Sequence, residues 1–188
     1  MLRAAIIAPS AIGAGLLFGA TETVFFSLMP VYGVRIGLEE AAIGIIMACG
    51  AVGGIMMQVP MGRLADTVGK RPVAALITAM CLVGPVLVWL AGDRALALYA
   101  VMFVYVGMAT TLYTIGLAMI GDRFTGGAIA AANAAFVMAY GMGSLLGPPV
   151  AGSAMDWIDP EGVLIALSVM AAVFLAVLIV RGVQRRTG

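Results

Sequence analysis

The stretch from Gly62 to Arg71 reads GRLADTVGKR. It is a short charged segment between two long apolar runs, and we expect it to form a compact turn. Gly62 and Gly69 permit sharp backbone bends, and the carboxylate of Asp66 is placed to interact with a helix N-terminus. We interpret the turn as a mechanical part of the molecule. The alternative is a solvated basic loop that serves only topology.

The composition predicts a membrane protein. Apolar residues make up 63% of the chain, charged residues 10%, and the mean hydropathy is +1.14, which lies outside the usual range of soluble domains. A net charge of +1 does not give the basic surface of a nucleic-acid-binding protein, so no such partner is expected. The chain has no His, and Cys49 and Cys81 both lie in apolar runs. We therefore expect no metal site, cofactor or disulfide framework.

Six apolar runs are long enough, or nearly so, to cross a lipid bilayer as helices of about 20 residues. These runs are Ala4–Met29, Ala41–Met61, Val73–Ala91, Ala95–Met119, Ala128–Met155 and Val163–Val180. The predicted fold class is an all-α membrane protein. Its single domain, residues 1–188, is expected to be one bundle of six transmembrane helices.

The basic residues predict the orientation of this bundle. Six spans put both termini on the same side of the membrane. The Lys and Arg residues on that side are Arg3, Arg63, Lys70, Arg71, Arg123, Arg181, Arg185 and Arg186. Only Arg35 and Arg94 lie on the opposite side. Because loops rich in Lys and Arg stay inside the cell, both termini are expected in the cytoplasm.

Glu22 is the first candidate for chemistry because it is an acid inside the first apolar run. Acids within membrane spans are costly unless they are protonated, paired or facing water, and they mark ion and substrate pathways. Asn133, Val137, Tyr140 and Ser144 recur at helical spacing, so they share one face that can line a cavity. We predict substrate or proton-coupling roles for Glu22, Asn133 and Tyr140. The alternative is a neutral Glu22 that is hydrogen-bonded to a neighbouring helix.

The pattern G-x-L-A-D-x-x-G-K-R at residues 62–71 resembles the cytoplasmic signature between the second and third helices of each half of major facilitator superfamily (MFS) transporters. With LMPVYG at 28–33, QVPMGRLAD at 58–66 and GSLLGP at 143–148, it resembles the C-terminal half of a bacterial MFS subgroup whose substrates are largely unassigned. The resemblance implies an MFS-type half bundle in the bacterial plasma (inner) membrane. It also implies alternating access and ion-coupled movement of a small solute or a drug-like amphiphile.

The resemblance implies a conformational latch as well, because the equivalent of Asp66 in the MFS signature helps to lock the cytoplasmic side in one conformer. Asp122 and Arg123 end the fourth run on the same side. We predict a contact between Asp66 and Arg123, with Asp122 facing Arg63 or Arg71. The predicted latch residues are Gly62, Arg63, Asp66, Gly69, Lys70, Arg71, Asp122 and Arg123.

The run GSLLGPPVAG, which begins at Gly143, resembles the G-x-x-x-G-P-x-x-G-G motif of the fifth helix of proton-coupled MFS antiporters. Ala151 replaces one glycine of that motif, and a C-terminal half would carry it in its eleventh helix instead. Gly143 and Gly147 allow another helix to approach closely, while Pro148 and Pro149 remove backbone donors and favour a kink. The kink serves either packing or gating.

A six-helix bundle is only half of an MFS transporter, so the partners implied are the lipid bilayer, a small solute and a second six-helix half. That half is a missing N-terminal half, a separate chain or a second copy. The alternative function is a truncated or regulatory membrane interaction module without transport activity of its own. An enzyme is not expected, since the chain has neither a GxSxG elbow nor a His that could serve as a base.

Overall fold

The structure is a computed structural model that describes residues 8–184, with side chains to residue 180. Its helices are α1 Pro9–Arg35, α2 Glu40–Val68, α3 Lys70–Ala91, α4 Ala95–Gly121, α5 Gly127–Trp157 and α6 Gly162–Gln184. All six are long and apolar enough to cross a membrane, and residues 8–184 contain no strand. The predicted all-α membrane fold class is confirmed. Arg3, Arg185, Arg186 and the first residues of the predicted run from Ala4 lie outside the described residues.

The charged segment from Gly62 to Arg71 is almost entirely helical. Helix α2 continues through it to Val68, and α3 begins at Lys70. The expected compact turn is therefore wrong, because one residue separates the two helices. Gly69 has a φ of +97°, a conformation that residues with a Cβ rarely adopt, so this glycine alone can reverse the chain direction.

Helix α1 also extends beyond its predicted end. Pro30 lies inside the helix, which continues to Arg35. Proline has no backbone N–H, so one carbonyl of the preceding turn loses its donor. Membrane helices tolerate this loss when neighbouring groups satisfy the freed carbonyl. Glu22 is consequently the central residue of the 27-residue helix. It lies about 20 Å from either helix end, whereas in the predicted run it lies much nearer the end at Met29.

Two helix pairs make the most extensive contacts in the bundle, α1 with α5 and α2 with α4, while α3 packs on α4 and α6. Burial in the most apolar 18-residue stretch differs among the helices. The buried share of that stretch is 56% in α1 and 50% in α4, but only 22% in α2 and 28% in α5. Helices α1 and α4 therefore form the centre. Helices α2 and α5 present wide faces that no other described part of the chain covers.

Both main helix pairs cross at glycines. A Cβ added to Gly143 in α5 would lie 2.0 Å from the carbonyl oxygen of Leu16, and one added to Gly147 would lie 2.8 Å from the Cα of Ala20. Helices α2 and α4 cross in the same way at Gly53. Membrane helices gain little from the hydrophobic effect within lipid, so such close backbone contacts are a main source of their association.

Pro148 and Pro149 lie inside α5, which runs on to Trp157. Their predicted kink, whether it serves packing or gating, stays a prediction.

Replacing Gly143 with Ala should destabilise the bundle, since the new methyl group has no room against Leu16. Overpacking of this kind costs about 1–3 kcal/mol of unfolding free energy. Gly141 lies in the same helix, and a Cβ added there would meet nothing within 4 Å, so Gly141→Ala is the matched control. Thermal unfolding in detergent should show a lower midpoint for Gly143→Ala only. Equal midpoints for the two variants would show that the α1–α5 crossing does not limit stability.

Candidate functional site

The acid at the middle of α1 has a hydrogen-bond partner on α5. The hydroxyl of Tyr140 donates to Oε2 of Glu22 at 2.7 Å, and both side chains are half-buried. Two of the three residues predicted for coupling or substrate binding thus meet, although 118 positions separate them in the chain. A phenol donor stabilises a carboxyl group at this depth, where an unsatisfied polar group is costly.

Aromatic rings hold the Tyr140 side chain in position. The ring of Phe18, one helical turn before Glu22, stacks on Tyr140 with centroids 5.7 Å apart. Tyr113 in α4 meets Phe18 edge-on at 5.6 Å and Tyr140 edge-on at 5.7 Å. Each such pair contributes about 0.5–1.5 kcal/mol beyond the burial of its area. The rings therefore restrict the direction in which the Tyr140 hydroxyl points.

The Glu22–Tyr140 pair lies in a cleft with two adjoining compartments, which we call the Glu22 cleft. The polar compartment has a volume of about 310 Å³ and is lined by Phe18, Glu22, Gln58, Thr110, Tyr113, Thr114 and Tyr140. The second compartment, of about 200 Å³, shares Phe18, Glu22, Gln58 and Thr110 with it. Apolar side chains, including Phe25, Phe26, Ile55 and Val106, make up most of the rest of its wall. Helices α1, α2, α4 and α5 thus line the cleft.

Glu22 is the only lining residue of this cleft that carries a formal charge. Thr110 donates its hydroxyl to the carbonyl of Val106 at 2.8 Å, a bond to the preceding helical turn that threonines in helices commonly make. Gln58 presents an exposed amide. The cleft therefore offers one carboxyl group, one amide, hydroxyl groups such as that of Thr114, and aromatic faces to a ligand.

Asn133 does not line the Glu22 cleft. It precedes Tyr140 by two helical turns, about 10 Å along α5, and its side chain is exposed. Ser144, one turn after Tyr140, donates to the carbonyl of Gly19 at 3.3 Å. The predicted polar stripe is therefore divided between an exposed amide, the cleft and the α1–α5 crossing.

Gln58 and Phe18 line the cleft although neither was predicted from the sequence. Gly50, Gly54 and Gln58 recur at intervals of four residues, so they share one face of α2, and that spacing could have identified the amide. Phe18 precedes Glu22 by the same interval in α1. An apolar ring in an apolar run gives no comparable signal.

A second polar site lies where α3 begins and α4 ends. Lys70 donates to the carboxylate of Asp122 and, at 3.2 Å, to the carbonyl of Ala118. The C-terminal end of a helix carries partial negative charge, so the ammonium group is attracted both by Asp122 and by the end of α4. The Asp122 side chain is 57% exposed, and water screening limits such a pair to about 1 kcal/mol.

This pairing joins two of the predicted latch residues in a combination that was not predicted. The structure describes ion pairs between Lys70 and Asp122 and between Arg35 and Asp159. Asp66 is exposed and takes part in neither of these two pairs, and its contact with Arg123 stays a prediction.

The ion pair described for Asp122 is with Lys70, a partner that was not predicted for it; the predicted partners were Arg63 and Arg71. Helix α2 stays helical to Val68, which keeps Arg63 on its exposed last turns. Lys70, the first residue after the turn at Gly69, reaches the end of α4 instead.

The Arg35–Asp159 pair lies at the opposite end of the bundle. Arg35 is the last residue of α1, and Asp159 lies in the link between α5 and α6. Each end of the bundle thus carries an ion pair between elements that are distant in the chain.

The described side chains contain no group of three or more His, Cys, Asp or Glu that could hold a metal ion. Cys49 and Cys81 are free thiols.

Comparison with known proteins identifies relatives over most of the chain. The model of the Major Facilitator Superfamily matches residues 11–187. An uncharacterized MFS-type transporter of Yersinia enterocolitica is 28% identical over 173 residues, which is 92% of this chain and 43% of the relative. One of Yersinia pestis is 29% identical over 88% of this chain and 41% of its own length. The uncharacterized MFS-type transporter YcaD of Salmonella paratyphi B is 30% identical over 82% of this chain and 39% of its own length.

The chain thus spans less than half the length of these curated relatives, between 39% and 43%.

The Glu22–Tyr140 hydrogen bond can be measured with a double-mutant cycle. Glu22→Ala, Tyr140→Phe and the double variant should give a coupling energy of about 1 kcal/mol in unfolding free energy, because Tyr140→Phe removes only the hydroxyl. A second cycle that combines Glu22→Ala with Tyr99→Phe is the control, since Tyr99 does not line the Glu22 cleft. Equal coupling in both cycles would mean that the hydrogen bond contributes nothing to stability.

Proposed function

The chain belongs to the major facilitator superfamily, and from this membership we propose that it is one six-helix half of a secondary transporter that works by alternating access. The observation that carries the proposal is the Glu22–Tyr140 pair in an open cleft at the middle of α1. MFS transporters hold their solute near the bilayer midplane between two halves. The Glu22 cleft has the depth and the polarity for that role, and no enzymatic activity is proposed.

A second six-helix half is the proposed partner. With this chain alone, the open side of the Glu22 cleft would face acyl chains, and an acid at the membrane centre costs about 3 kcal/mol on insertion scales. The uncovered faces of α2 and α5 flank that cleft and are wide enough to receive another bundle. The greater length of the relatives supports such a partner, whether it is another segment, another chain or a second copy.

We propose that Glu22 couples transport to an ion, with a proton as the first candidate. A Tyr hydroxyl both donates and accepts hydrogen bonds. Tyr140 can therefore donate to the ionised carboxylate and accept from the protonated acid, so Glu22 keeps a partner in either state. Alternating access would expose this carboxyl group to one side of the membrane at a time.

The charged end of the bundle is the proposed cytoplasmic latch. The positive-inside rule puts the end with Arg63, Lys70, Arg71 and Arg123 in the cytoplasm, together with both termini. Lys70–Asp122 joins two helices of this same half, so it braces the end and need not break during transport. Asp66 is exposed, which leaves it available for a contact with the second half.

Transport by paired halves tests the proposal. Vesicles that contain this chain and a second half should show solute-induced proton movement for some member of a solute panel, and Glu22→Gln should reduce it at least about tenfold, as for loss of a positioned proton-transfer group. Glu39→Gln, at an exposed acid before α2, is the control and should keep the activity. Proton movement that survives Glu22→Gln would remove Glu22 from coupling. If no second half gives solute-induced proton movement, the alternative of a membrane interaction module without transport activity would be favoured.

The latch can be tested by labelling. Thr114 lines the Glu22 cleft and is exposed, so a Cys at this position, in a variant without Cys49 and Cys81, reports access to the cleft. Asp66→Asn should speed its reaction with a cytoplasmic, membrane-impermeant maleimide by about threefold to tenfold, corresponding to loss of roughly 1 kcal/mol from the closed state. Asp93→Asn, at the other end of the bundle, should leave the rate unchanged. An equal rate for Asp66→Asn and its parent would contradict the latch.

A further inference from the structure

We infer that the Glu22 cleft binds a monovalent organic cation with an apolar tail, an inference that rests on the proposed function and adds a substrate class to it. Glu22 is the one formally charged residue that lines either compartment. The walls that this chain supplies contain no Lys, Arg or His, so an anionic or zwitterionic solute would bring its negative group next to Glu22 with no cation from this chain to balance it. An organic cation instead finds a carboxylate as its counter-ion.

The aromatic rings beside the acid favour a cation as well. Phe18, Tyr113 and Tyr140 line the same compartment as Glu22, with neighbouring centroids 5.6–5.7 Å apart. A cation within about 6 Å of a ring centroid is attracted by the negative face of the ring, and more strongly in a desolvated site. An ammonium group between these rings and the carboxylate would therefore be attracted by both.

The second compartment favours an apolar tail on the solute. Its wall includes Phe25, Phe26, Ile55 and Val106, and it adjoins the polar compartment at Glu22. A Cβ added to Gly50 would lie 2.6 Å from the ring of Phe25, so a larger residue there would displace this wall. A solute whose charged group lies at Glu22 can thus extend an apolar group towards Phe25. An inorganic divalent cation fits less well, since one carboxylate gives it a single negative charge and the other oxygens of the cleft are neutral amide and hydroxyl groups.

A bound cation and a proton would compete for the same carboxylate. The groups that can titrate in the cleft are Glu22 from α1, Tyr113 from α4 and Tyr140 from α5, while α2 contributes the neutral Gln58. A cation that binds to the protonated site therefore displaces one proton from Glu22. This competition would give an exchange of one organic cation for one proton across the membrane.

Three probes of nearly equal shape test the inference with the chain in lipid nanodiscs. Benzyltrimethylammonium carries a permanent positive charge and no N–H group, neopentylbenzene is its neutral carbon analogue, and phenylmethanesulfonate is an anion of similar size. Only benzyltrimethylammonium should bind saturably. Glu22→Gln should weaken its binding by about tenfold or more, which corresponds to loss of one charge contact, whereas Glu39→Gln should not change it.

A ring-specific pair of variants separates recognition from folding. Tyr113→Phe keeps the aromatic face and should keep the affinity, while Tyr113→Leu should lose about threefold to tenfold, the range of a cation–π contact. Unfolding midpoints of all variants are measured in parallel, so that a loss of affinity is scored only in folded protein. Equal affinity of Tyr113→Leu and Tyr113→Phe would remove the rings from recognition and overturn their part in the inference.

The inference is overturned if neopentylbenzene competes as well as the cation, if Glu22→Gln binds the cation normally, or if no saturable binding occurs. Glu22-dependent proton movement driven by some other solute would leave the proposed function standing in that case. Conversely, Glu22-dependent cation binding without flux under any pairing would support the substrate class and overturn transport. The two failures are therefore distinguishable.

Discussion

A carboxyl group at the centre of a membrane helix constrains the rest of this structure. Glu22 is the middle residue of α1, where an acid is tolerated only with a hydrogen-bond partner and a polar surrounding. Tyr140 supplies the partner, and the Glu22 cleft supplies the surrounding. A chain that needed only to sit in lipid would gain stability from a leucine at this position, so the presence of the acid points to a role outside packing.

The packing of the helices and the chemistry of the site both depend on the crossing of α1 and α5. A Cβ added to Gly19 would lie 2.1 Å from the carbonyl oxygen of Tyr140, so the backbone of Tyr140 lies directly against α1. One turn of α1 further on, the hydroxyl of the same residue reaches Glu22. Glycine at this crossing therefore brings the phenol within hydrogen-bonding distance of the acid. Stacking on Phe18 then orients the ring.

Much of the fold could be predicted from the sequence, because hydropathy reports directly on membrane helices. The six spans and the family followed from apolar runs and from the pattern around Asp66. Helix ends could not be predicted as well. Pro30 resembles a stop signal but lies within α1, and the charged segment before Gly69 resembles a loop but is helical, since membrane helices extend past the apolar core into the polar interface.

The candidate site was predictable only in part. Glu22 and Tyr140 stand out singly as polar residues in apolar runs, yet their contact depends on how α1 crosses α5, which no local pattern records. The ion pairs show the same limit. The sequence indicated that Asp122 faces a basic segment, but the choice of Lys70 depends on the turn at Gly69.

Infrared spectroscopy of the chain in lipid addresses the Glu22–Tyr140 pair without assuming a solute or a second half. The carboxyl band that disappears in Glu22→Gln belongs to Glu22, and its frequency reports hydrogen bonding to that group. If Tyr140 holds the acid, the band shifts in Tyr140→Phe and keeps its position in Tyr99→Phe. A Glu22 band at one frequency in the parent chain and in both Tyr variants would contradict the pairing on which the cleft, the coupling role and the cation site depend.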